Sequence, residues 1–99
     1  MRLRQEQIDS IRQAVQDVFG PGAEVLLFGS RVDDSKRGGD IDLLVRPDAG
    51  FTDELLRRKI RLLGRLEQAL GERKIDIVIE HGGRPRPIER VARETGIKL

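Results

Sequence analysis

Residues 28–45 read FGSRVDDSKRGGDIDLLV, and how that stretch is parsed decides both the fold and the chemistry. An apolar run breaks at Gly29-Ser30, nine mainly polar and glycine-rich residues follow, and an alternating segment resumes as Asp40, Ile41, Asp42, Leu43. Successive side chains on a strand point to opposite faces, so Asp40 and Asp42 share one face while Ile41, Leu43 and Val45 share the other. Two carboxylates so close repel unless a cation or a proton lies between them. Taken alone, Asp-x-Asp at a strand start also describes an exposed edge. The purely apolar opposite face is what favours a ligand.

Outward from that stretch, Ile8, Ile11, Val15, Val18 and Phe19 recur at helical spacing, and the pattern predicts an amphipathic helix over about 3–19, ended by Gly20-Pro21-Gly22. Residues 23–28 form a short apolar run between glycine turns and read as a buried strand. The second strand covers 40–46 and closes on Pro47-Asp48-Ala49-Gly50. Thr52 is suited to cap a helix reaching about Leu70, with Leu56, Ile60, Leu63, Leu66 and Leu70 as its apolar stripe. Arg58, Arg61 and Arg65 gather on another side and read as a solvated face. A third strand over 74–80 sets Ile75, Ile77 and Ile79 against Asp76 and Val78. A glycine-rich loop follows, and then a short helix over 87–95, with Pro87 suited to its first turn and Gly96 to its end. The sum is a single domain, residues 1–99, of the α+β class: a two-layer sandwich with helices covering one face of a small sheet.

Composition narrows the chemistry. At 37% hydrophobic and 36% charged residues the chain is that of a folded globular domain. With no cysteine there is no disulfide, no thiolate nucleophile and no cysteine zinc site. No run is long enough for a membrane span and the N-terminus lacks an apolar leader, so the expectation is cytoplasmic, without membrane contact. A net charge of +2 leaves a mild bias toward anionic partners. Three phenylalanines, with no Trp or Tyr, supply no evident stacking platform, and direct nucleic-acid binding is disfavoured. His81, alone in a glycine-rich turn, reads as a solvated ring.

If Asp76 lies on a strand neighbouring Asp40 and Asp42, three carboxylates converge with only oxygen ligands, a set that suits Mg2+ or Mn2+. Gly29-Ser30 at a strand exit offers close backbone approach and amides for an anion, though the same pair also describes an ordinary capped turn. The loop lacks the Gly-Lys-Ser/Thr ending of a P-loop.

Gly-Ser, then Asp-x-Asp, then a third Asp on a later strand resembles the signature of the DNA polymerase beta nucleotidyltransferase superfamily, and most closely its minimal nucleotidyltransferase group. The likeness covers the leading helix, FGSR, DIDLLV, the long second helix, KIDIVIE and the final helix closing on Gly96-Ile97. It departs from the group between Val32 and Gly39, where a small residue, a basic residue and a glycine are common. The resemblance implies the nucleotidyltransferase fold, with a small mixed sheet. It also implies that Asp40 and Asp42 bind the metal ions bridging a nucleoside triphosphate, with Asp76 holding metal near the acceptor hydroxyl and helping it lose a proton. Gly29 and Ser30 would hold the terminal phosphates and Arg31 would offset charge on the leaving pyrophosphate. ATP is the implied substrate, and AMP transfer to a hydroxyl the implied reaction.

No second domain is evident to bind an acceptor. In the minimal group a separate small helical protein, often of the HEPN type, is the typical partner, and the nucleotidyltransferase is then the antitoxin of a toxin-antitoxin pair, modifying a tyrosine of its partner. A second expectation is a catalytically weak or inactive binding module that neutralises or scaffolds such a partner. A third, an RNA-binding domain, predicts steep salt dependence. Ile97 and Leu99 suit docking on a partner or a second copy, or folding back on the core.

Overall fold

The computed structural model describes residues 3–28, 41–71, 73–80 and 86–99. Gly29, Ser30, Arg31, Asp40 and His81, and the whole of the loop from Val32 to Gly39, lie outside the described residues. The chain runs α1 (Gln5–Phe19), β1 (Glu24–Phe28), β2 (Ile41–Arg46), α2 (Leu55–Leu70), β3 (Ile75–Ile79), α3 (Pro87–Thr95) and β4 (Ile97–Lys98).

Four strands form one mixed sheet in the order β3-β2-β1-β4. β1 and β2 pair antiparallel, from Glu24 opposite Arg46 to Phe28 opposite Asp42. β2 and β3 run parallel, with Ile41 beside Ile75 and Val45 beside Ile79. A parallel pair needs a crossover, and α2 supplies it. β4 was not foreseen from the sequence. It adds antiparallel to the free side of β1, Leu27 opposite Ile97, and the Leu99 amide donates to the Val25 carbonyl at 3.0 Å. The end of the chain folds back onto the sheet.

Period-two alternation sorts the strand residues. Val25, Leu27, Ile41, Leu43, Val45, Ile75, Ile77 and Ile79 face α1 and α2 and join Ile11, Val15, Val18, Phe19, Leu62 and Leu66 in the main core. A smaller cluster of Phe28, Leu44 and Ala92 lies on the opposite face, where α3 packs. The layer of two helices is as expected; α3 adds a partial cover to the other side.

α2 differs from its expected form in three ways. It starts at Leu55 instead of near Thr52, after Glu54 in the left-handed region at φ 49°. Arg58 explains the late start, because its Nε donates to the Asp53 carbonyl at 2.9 Å and its Nη2 to the Asp53 carboxylate at 2.9 Å, pinning the turn. Its buried face is Leu62, Leu66 and Leu70, whereas Leu56 and Ile60, expected in the core, are 71% and 62% exposed. Two of the three arginines expected in solvent instead tie α2 to α1. Arg58 Nη1 donates to the Val18 carbonyl at 2.7 Å with its guanidinium 5.3 Å from the Phe51 ring centroid, and Arg65 pairs with Asp17 at 2.6 Å.

Candidate active site

The face opposite the main core carries the candidate site. Register arranges its side chains in three rows across β1, β2 and β3: Phe28, Asp42 and Asp76; then Leu26, Leu44 and Val78; then Glu24, Arg46 and Glu80. One row is acidic, the next apolar, the last a set of ion pairs.

In the first row Asp42 and Asp76 are direct neighbours on adjacent parallel strands. Strands lie about 4.8 Å apart, so the two carboxylates share one small space. Asp42 is half-buried and Asp76 exposed. Their spacing would cost about 1 kcal/mol of repulsion even at a water-like dielectric. Phe28, 5% exposed, flanks Asp42 on the other side and packs against Leu44 and Ala92. It thereby fixes the strand end from which residue 29 departs. Its position immediately before Gly29 is the signal in the sequence that could have marked it.

The third row anchors the opposite end of the same face. Arg46 Nη1 lies 3.6 Å from Glu24 and Arg46 Nε lies 3.8 Å from Glu80, while Glu80 also pairs with Arg93 of α3 and Glu24 with Lys98 of β4. The hydrogen bond from Lys98 holds the Glu24 carboxyl below its ordinary range, with the positive charges of Lys98 and Arg46 adding to it. These acids are neutralised by cations. In the first row, among the described residues, no third acidic or imidazole side chain joins Asp42 and Asp76.

The donors brought together are oxygen only, which fits a hard divalent cation such as Mg2+ or Mn2+ and poorly fits one that seeks thiolate or imidazole. Of the residues singled out from sequence, the structure brings Asp42 and Asp76 together. Asp40, Gly29, Ser30 and Arg31 adjoin this row in the chain, Asp40 and Gly29 one or two residues from Asp42 and Phe28, and are outside the described residues. A comparison with protein-family models matches residues 8–98 to the nucleotidyltransferase domain. A search of curated proteins gives no match.

Proposed function

Because this chain belongs to the nucleotidyltransferase domain family, matched over residues 8–98, we propose that it moves a nucleoside monophosphate, AMP from ATP, to a hydroxyl on a partner protein. The observation that carries the proposal is the pairing of Asp42 with Asp76 in register. Carboxylates placed side by side with oxygen-only donors suit Mg2+ or Mn2+, which Asp40, Asp42 and Asp76 would hold. The bound cation would supply charge neutralisation at the phosphates and lower the pKa of a bound hydroxyl.

The chain's own residues then have distinct tasks. Asp76, exposed at the open side of the sheet, receives the proton of the acceptor hydroxyl at its carboxylate. The acceptor oxygen bonds to the α-phosphorus as the bond from that phosphorus to its bridging oxygen breaks, and the electron pair leaves with pyrophosphate. Gly29 and Ser30 present amide and hydroxyl donors to the terminal phosphates, and Arg31 balances charge on the departing group. Such transfer depends mainly on positioning and electrostatics. The partner we propose is a small helical protein of the HEPN type, with this chain as the antitoxin that modifies it.

The test is incubation with α-labelled ATP, Mg2+ and the protein encoded next to this one, comparing wild type with Asp42→Asn. Label on the partner with wild type only is the expected result. Tight complex formation with no label from either form would replace the enzyme with a binding module.

A further inference from the structure

β3 is an edge strand, and two hydrogen bonds fix which of its groups face outward. The Ile41 amide donates to the Lys74 carbonyl at 2.9 Å and the Glu80 amide to the Val45 carbonyl at 2.8 Å. In a parallel ladder alternate residues turn to the neighbour, so residues 74, 76, 78 and 80 face β2 while the amides and carbonyls of Ile75, Ile77 and Ile79 face away. Arg86 confirms that direction independently: its Nη2 donates to the Ile79 carbonyl at 3.2 Å. Among the described residues no strand pairs with this edge. A cleft of about 250 Å³ runs beside it, lined by Leu55, Leu56 and Lys59 of α2, the last three residues of β3, Arg86 and Ile88.

The walls specify the occupant. Leu56 and Ile88 are 71% and 43% exposed, an apolar surface next to the outward-facing backbone of β3. Of the cations that α2 bears before its first acid, Glu67, Arg58 and Arg65 are committed to Asp53 and Asp17 and Arg57 lies 3.4 Å from Glu54, while Lys59 lines the cleft and Arg61 follows it on the same helix. A second copy paired edge to edge about a two-fold axis would set this cationic helix against itself. An acidic, apolar extended segment meets complementary charge instead.

We propose that β3 takes up an added strand from a protein substrate, an extended acidic segment with a hydroxyl side chain placed opposite Asp76. The hydroxyl's role rests on the nucleotidyl transfer proposed above; the docking rests on the edge alone. Alternation gives the motif its spacing. A residue opposite Asp76 points to the Asp42–Asp76 face, and those one and three positions from it point to α2, where Leu56 and Lys59 favour leucine and glutamate.

The probe is a short acetylated peptide with a central tyrosine, leucine at the third position from it and glutamates in phase with the leucine, made in both chain directions. It is titrated into the full chain by NMR. The expected result is that the amides of Ile75, Ile77 and Ile79 shift, and that N-methylation of the peptide amides facing β3 abolishes binding while methylation one residue out of phase does not. Leu56→Asp and Lys59→Glu, both exposed changes, should each weaken binding by at least about tenfold with an unchanged circular dichroism spectrum. No perturbation at about 1 mM peptide, or binding indifferent to the phase of methylation, overturns the docking; the latter would mean a helical or purely apolar contact. Label transfer from ATP to the tyrosine is scored separately. Edge binding without transfer supports the docking and counts against the transferase, whereas transfer with phase-indifferent binding overturns the docking alone.

Discussion

Asp42 and Asp76 are held together by backbone register, with no need for an attraction of their own. Replacing either by Asn should therefore leave the fold intact and reduce transfer by at least about a hundredfold. In metal-free buffer Asp76→Asn should raise stability slightly, by less than about 1 kcal/mol, because a like-charge neighbour is removed. Mg2+ should raise the melting temperature of wild type and leave those of Asp42→Asn and Asp76→Asn nearly unmoved, as differential scanning fluorimetry will show. Glu89 is a different kind of acid. It is 3% exposed, and accepts from the Arg86 amide at 3.2 Å and from Arg86 Nε at 2.7 Å. Glu89→Ala leaves those donors without their acceptor and should cost about 1–3 kcal/mol in urea unfolding, with Glu89→Gln recovering part of it. That Asp42 and Asp76 face away from the main core was legible in the sequence because alternation sets them against Ile41, Leu43, Ile75 and Ile77. That Asp76 stands directly beside Asp42 was not, since the register of two parallel strands is fixed by the crossover between them. Nor was the work of Arg58, whose partners, Val18, Phe51 and Asp53, are brought together only by the packing of α1 on α2.

The elements themselves were largely readable from period. α1, β1, β2, β3 and α3 fall within about two residues of their expected bounds. α2 misled because its leucines and isoleucine cover two adjoining faces, and intrinsic pattern cannot tell which of them docks. The wider stripe leaves Leu56 and Ile60 in solvent, Leu56 in the cleft beside β3. β4, two residues long, has no pattern to read; it exists because β1 offers an edge. Gly96 makes that join possible. A Cβ at this position would collide with the Ala92 carbonyl oxygen and lie 3.3 Å from the carbonyl oxygen of Leu27. Gly96→Ala should therefore push α3 and β4 away from β1, destabilising by about 1–3 kcal/mol. Faster amide exchange at Leu99, whose donor bond to Val25 would be lost, is the local measurement that checks it.

Across the molecule, charge pairs bind the outer elements to one another. The Asp17 carboxyl lies below its ordinary value of 3.8 chiefly through the hydrogen bond from Arg65, Asp53 below 3.8 through that from Arg58, and Glu24 below 4.5 through that from Lys98. A carboxyl with a lowered folded-state value adds stability above its unfolded value and loses that contribution as pH falls through the folded one. The urea midpoint should therefore decline as pH falls through the ordinary carboxylate range, and the gap between wild type and Asp17→Asn should narrow as pH drops below 3.8. The same division of labour reaches further in β2 and β3. Ile41, Leu43, Ile75 and Ile77 answer only to the core, and Asp42 and Asp76 only to the opposite face. Selection on folding and selection on chemistry thus act on separate, interleaved positions. A lineage that loses either aspartate keeps a foldable protein with β3 and α2 unchanged, so one substitution is all that separates a chain that keeps both its fold and its chemistry from one that keeps the fold alone.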